Sequence, residues 1–189
     1  MRKILIALLG VLLVAALAGA GTFAYFSDTE TSTGNSFTAG TLDLGLANAA
    51  GLDPTGSTSA TWVSPSNWAP GQTVDASIYV NNEGTIGASR TTVTFTYSAT
   101  EGTPSSVDAG SSLIGDAIVA TTVELDGVTV TGLQGKTLSQ LQALGAYDLG
   151  SLPANTEKKL HIVWTLDPNA DNGVQGDSAN VTLSFKASQ

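Results

Sequence analysis

From Thr41 onward the chain alternates apolar and polar residues one by one, and helical spacing is nearly absent. Such alternation puts the apolar side chains on one face of an extended backbone, so the chain has to build sheets with one buried face each. Thr41-Leu42-Asp43-Leu44-Gly45-Leu46 sets three leucines on one side. Thr73 to Val80 forms a second strand, closed by the turn-forming Asn81-Asn82-Glu83-Gly84. Thr92 to Tyr97 turns Val93, Phe95 and Tyr97 inward. Ile118–Leu125 and Val128–Val130 flank Asp126-Gly127, a strong two-residue hairpin signal. Leu160, Ile162 and Trp164 alternate with His161, Val163 and Thr165, and the last strand, Asn180 to Ala187, buries Val181, Leu183 and Phe185.

One helix is expected. Thr137 caps Leu138-Ser139-Gln140-Leu141-Gln142-Ala143-Leu144, Gly145 stops it, and the three leucines share a side, as in a lid over the sandwich. The prolines fall between strands, where they cost no ladder hydrogen bond. Seven or eight short strands with regular turns, no internal repeat and no change of composition predict an all-β fold, a jelly-roll-type β-sandwich with one short helix.

In front of it stand two further segments. Arg2-Lys3 lead into an apolar run from Ile4 to Ala18, followed by small residues. A basic start, a short apolar stretch and a small-x-small site make a secretion signal. Both Ala18-Gly19-Ala20 and Thr22-Phe23-Ala24 satisfy that site, and an uncleaved anchor is the alternative, since Ile4–Gly21 carries no charge. Cleavage between Ala24 and Tyr25 divides the chain into a signal helix over 1–24, an extended arm over 25–36 and a β-sandwich domain over 37–189. The membrane is then met only through the signal, before cleavage.

Charge and composition remove several function classes. The formal charge is −9, and loss of Arg2 and Lys3 makes it −11. Only Arg90, Lys136, Lys158, Lys159 and Lys186 remain as cations, so the surface repels nucleic acid and anionic membranes. Cysteine is absent, which excludes disulfides, thiolate chemistry and cysteine–zinc sites. His161 is the single histidine, read as an outward strand residue; no two-histidine metal motif or G-x-S-x-G elbow exists. The chain is therefore not expected to be an enzyme and needs no cofactor.

Three surface features carry weaker signals. Asp167, Asn169 and Asp171 offer oxygens at alternate positions and Asp177 follows, a spacing that suits Ca²⁺, although turn chemistry alone also selects Asp and Asn there. Asn180-Val181-Thr182 is an N-glycosylation sequon, with Asn180 facing outward. Trp62 and Trp68 flank Pro65 as a candidate sugar-stacking surface, whereas Trp164 shares the inward phase of its strand.

The arm draws the most attention. Tyr25-Phe26-Ser27-Asp28-Thr29-Glu30-Thr31-Ser32-Thr33 has strand-forming residues and no Pro or Gly, yet an isolated strand is unstable in water. It either closes its own sandwich or completes the sheet of a neighbour. A head-to-tail exchange of that kind does not close and makes filaments.

Gly21-Thr22-Phe23-Ala24-Tyr25-Phe26-Ser27-Asp28, then Phe37-Thr38-Ala39-Gly40-Thr41-Leu42-Asp43-Leu44, resembles the start of the TasA/camelysin family of exported fibre proteins. Asn67-Trp68-Ala69-Pro70-Gly71-Gln72, the Asn82-Glu83-Gly84 turn and the stretch from Gln175 to Gln189 are similar too. In style the chain looks closest to archaeal bundling-pilus subunits. The resemblance implies cleavage by a signal peptidase at the position matching Ala24–Tyr25. It also implies a jelly roll, and polymerisation by donor-strand complementation with residues Tyr25, Phe26, Ser27, Asp28, Thr29, Glu30, Thr31, Ser32 and Thr33 as the donor. The expected product is a homopolymeric pilus or matrix fibre outside the cell, as in biofilm. A monomeric cell-surface binding module is the alternative. Some relatives carry a metallopeptidase designation, from which a chain with one histidine departs.

Overall fold

The computed structural model of the protein describes residues 2–4, 6, 39–51, 60, 67–102 and 112–189. The chain divides into two units, Met1–Thr38 and Ala39–Gln189. In the first, residues 2–4 and 6 are helical; the Ala24–Tyr25 cleavage position and the arm lie outside the described residues, as does Trp62 of the second unit. Among the described residues no helix is long and apolar enough to cross a membrane.

The second unit is an antiparallel β-sandwich. Its elements in chain order are β1 (Leu44–Ala47), β2 (Thr73–Asn82), β3 (Ala88–Thr100), α1 (Ile114–Ala117), β4 (Ile118–Leu125), β5 (Val128–Thr129), β6 (Lys136–Thr137), α2 (Leu138–Leu144), β7 (Tyr147–Leu152), β8 (Thr156–Leu166) and β9 (Ser178–Ser188). One sheet runs β1-β2-β8-β4-β5, with β6 also on β4; the other runs β7-β3-β9. The expected all-β sandwich is therefore present.

Alternation explains the core. Val74, Ala76, Ile78 and Val80 of β2, Leu160, Ile162, Trp164 and Leu166 of β8, and Val93 and Phe95 of β3 are all buried. Each belongs to one phase of its strand, and the two inner faces interdigitate between the layers. The opposite phase of β3 and β9 carries Thr92, Thr94 and Thr96 against Lys186, Ser184 and Thr182, a mostly hydroxyl outer face.

Turns follow residue chemistry. Asp126 and Gly127 have φ of 52° and 78°, as the primed hairpin turn between β4 and β5 requires. The Asp126 carboxylate also accepts from the Lys159 amide at 2.8 Å. Helix α2 carries the expected capping box: Thr137 Oγ1 accepts from the Gln140 amide, and Gln140 Oε1 accepts from the Thr137 amide. Its far end stops at Gly145, φ 67°.

Several expectations need correction. Leu138 and Leu141 are buried, but Leu144 is 43% exposed. Six residues along a helix rotate a side chain by about 240°, so Leu144 leaves the face that its partners share. Residues 41–43 lie outside the β1 ladder and hydrogen-bond instead along the turn: the Glu83 amide donates to Asp43 and the Ile86 amide to Thr41. Asn81 and Asn82 are not turn residues. They end β2 and are fully buried. Asn82 Nδ2 donates to the carbonyls of Ile86 and Leu152 at 2.9 and 3.1 Å, and its Oδ1 accepts from the Gly84 amide. This one amide ties the end of β2 to the following turn and to the end of β7. Strand β7 and the single turn α1 give no clear signal in the sequence.

Candidate functional site

Strand β9 is the exception in an otherwise closed core. It pairs with β3 through eleven consecutive residues, Arg90↔Ser188 to Thr100↔Ser178, without a register shift. No partner strand lies on its other side among the described residues. Alternate residues of such a strand turn their N–H and C=O groups away from the neighbour, toward an open margin. Natural edges are blunted by shortness, proline, bulges or charge. β9 has no proline, no bulge and one charged residue, Lys186.

The other margins differ. β1 is four residues long and β5 two. β7 is interrupted by register shifts between Ala88 and Thr92 of its partner β3.

The inward phase of β9 matches this openness. The expectation was that Val181, Leu183 and Phe185 are buried; with Ala179 and Ala187 they are only half-buried. Val93 and Phe95, one strand further in, are 0% and 2% exposed. The physical reason is position: an inward side chain on the last strand of a sheet has no neighbour beyond it. Toward the Ala187 end, Leu183 and Phe185 pack against the buried cluster of Ile78, Val80, Ala88 and Leu152, on which Leu42, Leu44 and Leu46 also pack. Toward the Ser178 end the apolar row opens into a cavity of about 630 Å³. Trp68, Trp164, Ile114, Val174, Ala179 and Val181 supply its apolar wall.

Trp164 is buried and belongs to the core, as its phase predicts. Trp68 is half-buried, and its indole Nε1 finds no hydrogen-bond partner among the described residues. Asp171 and Asp177 sit on the cavity wall, and among the described residues no Lys or Arg does.

The remaining candidate residues separate. Asp167 Oδ1 accepts from the Asn169 amide at 2.8 Å and from Asn169 Nδ2 at 3.2 Å. Asp171 Oδ1 accepts from the amides of Gly173 and Ser112, and Asp177 Oδ1 from that of Gly102. These carboxylates serve different backbone amides, which is turn and loop chemistry. Asn180 stands exposed on the outer phase of β9.

His161 lies on the outer face between two carboxylates: Nε2 is 2.9 Å from Asp75 and Nδ1 is 3.4 Å from Glu124. The carboxylates meet opposite nitrogens of the ring, so the three groups do not converge on one point. Among the described residues no group of three or more His, Cys, Asp or Glu side chains could hold a metal ion. Sequence reasoning missed the cavity, whose wall comes from residues far apart in the chain.

No curated protein matches the chain. A family model, described as camelysin metallo-endopeptidase, matches residues 1–189. The metal implied by that description does not fit the described donor set, where the lone histidine is engaged by Asp75 and Glu124 on either side. Matched over its whole length, and carrying the motifs quoted above on an all-β sandwich, the chain belongs to the TasA/camelysin family.

Proposed function

We propose that this chain is a secreted structural subunit, without enzymatic activity, that polymerises head to tail into extracellular fibres of the pilus or matrix kind. Arm residues 25–33 of one copy add a strand beside β9 of the next. The observation that carries this reading is β9 itself: long, regular, unblunted, and with an inward apolar row that stays half-exposed. A monomer kept in that state carries a standing risk of indiscriminate edge pairing. A fibre subunit turns the same edge into its joint.

Strand addition supplies both terms that the edge lacks. Main-chain hydrogen bonds contribute about 0.5–1.5 kcal/mol each, and covering the row returns about 25 cal/mol per Å² of apolar surface. Ordering the arm opposes them by roughly 1–2 kcal/mol per residue, so the joint forms only where apolar surface is waiting. The binding-module reading asks for an exposed aromatic platform. Of the two rings that reading relies on, Trp68 is half-buried, and Trp62 lies outside the described residues.

The test is a comparison of two chains by negative-stain electron microscopy. One starts at Tyr25 and is expected to give fibres. The other starts at Gly34 and is expected to remain monomeric. Fibres from the second would show that the arm is not the linker.

A further inference from the structure

Resting on the reading above, we infer that the cavity at the Ser178 end of β9 is a receptor for the processed N-terminus itself. The Tyr25 ring of a second copy enters beside Trp68 and Trp164. Its α-ammonium group lies against Asp171 and Asp177, and the incoming arm runs parallel to β9.

The phase of the arm comes first. Asp28 and Glu30 share a strand phase with Phe26, while Tyr25, Ser27, Thr29, Thr31 and Thr33 share the other. Facing Asp28 and Glu30 into an apolar groove would desolvate two carboxylates without partners. They stay in solvent, so the Tyr25 phase faces the groove. Tyr25 is the only aromatic residue in that phase.

Direction follows from the two ends of the groove. At the Ala187 end Leu42, Leu44 and Leu46 cover the same buried cluster as Leu183 and Phe185, and the nearby charges include Lys186 and Arg90, the latter paired with Asp148 at 3.0 Å. At the Ser178 end there is a cavity of about 630 Å³ with two indole rings. An aromatic side chain placed there finds apolar contact. Tyr25 also brings a phenolic oxygen, and Trp68 Nε1 is a donor with no partner among the described residues. Among the described residues two carboxylates and no cation line this end. The arm holds one positive charge, the ammonium created when the chain is cut before Tyr25. An antiparallel arm would carry that ammonium toward Lys186; a parallel arm carries it to Asp171 and Asp177. Processing is then read chemically as well as sterically, because an uncut chain has no ammonium to offer.

The chain starting at Tyr25 is followed by light scattering in four forms: unmodified, acetylated at the α-amine, Tyr25→Ala, and Asp171→Asn with Asp177→Asn. Asn keeps the oxygen that accepts from the backbone amides, and thermal melts check that each form is folded. Acetylation and Tyr25→Ala are expected to slow assembly about tenfold or more, the size of one lost charge-assisted or aromatic contact. The Asn variant is expected to assemble at one rate whether acetylated or not. Because the chain has no cysteine, Phe26→Cys paired with Asn180→Cys should form an intermolecular disulfide, and Phe26→Cys paired with Lys186→Cys should not. Wild-type assembly of the acetylated and Tyr25→Ala forms, or the opposite disulfide pattern, overturns the inference and leaves donor-strand assembly standing if the chain starting at Gly34 stays monomeric. Fibres from that shorter chain, or none from the unmodified one, overturn both.

Discussion

Phe95 of β3 and Trp164 of β8 meet edge to face across the two layers, with ring centroids 6.4 Å apart and planes at 75°. One residue from each sheet thus pins the layers together at the centre of the core. Both are nearly inaccessible, at 2% and 3%. Phe95→Ala should cost about 3–5 kcal/mol, the usual range for truncating a buried aromatic. Phe95→Leu should cost clearly less. Urea unfolding of both variants reads the difference as a shift in midpoint at constant slope.

Asn82 gives a second prediction. Its amide donates to two carbonyls and accepts one backbone N–H while fully buried. Asn82→Asp keeps the shape but replaces both donations by repulsion between a carboxylate and two carbonyl oxygens. Breaking a buried polar arrangement in this way costs about 3 kcal/mol or more. A large fall in Tm for Asp, without a comparable fall for an exposed control such as Asn180→Asp, is the expected result.

The Thr137 capping box gives a smaller and separable effect. Thr137→Ala should lower stability by about 1 kcal/mol, and Thr137→Ser by much less, since the serine oxygen accepts the same N–H. Chemical denaturation with circular dichroism distinguishes the two.

An inward charge on the open strand should block assembly while sparing the fold. Val181 is half-buried on the groove side of β9. Val181→Lys lets the ammonium reach water in a free subunit but buries it once a further strand is added. The expected outcome is a near-native melt with no fibres by microscopy. Fibres of normal yield would exclude this margin as the joint.

Calcium should leave the melt unchanged. Asp167, Asp171 and Asp177 each accept from different backbone amides, and among the described residues no three His, Cys, Asp or Glu side chains gather as a metal set. An ion that binds only the folded state raises Tm by mass action. Equal melts in chelator and in millimolar Ca²⁺ are predicted, and a clear rise with Ca²⁺ would contradict that geometry.

Much of the architecture was legible because it rests on local rules. Period-two alternation located the inner residues of β3 and β8 and the extent of β2 and β4; Asp126-Gly127 marked its hairpin, and Thr137 with Gly145 bracketed the helix. Strand β7 escaped because Tyr147-Asp148-Leu149-Gly150-Ser151-Leu152 breaks the alternation: Leu149 and Leu152 are both buried although three positions apart, with a register irregularity between them. Asn81-Asn82 reads as a turn because amides favour turns in general, whereas here a tertiary carbonyl, that of Leu152, satisfies Asn82 inside the strand. The openness of β9 could not be read locally at all. Val181, Leu183 and Phe185 alternate as well as any core strand, and only the order of strands in the sheet leaves them half-covered.

The brevity of β1 and β5 and the interruption beside β7 have a consequence for shape. If β9 is the joint, as proposed, and the one extendable margin among the described residues, copies add along one line and have nowhere to branch. Threads made this way keep one calibre however plentiful the supply, and thickening is left to side-by-side contact between the hydroxyl-covered flanks.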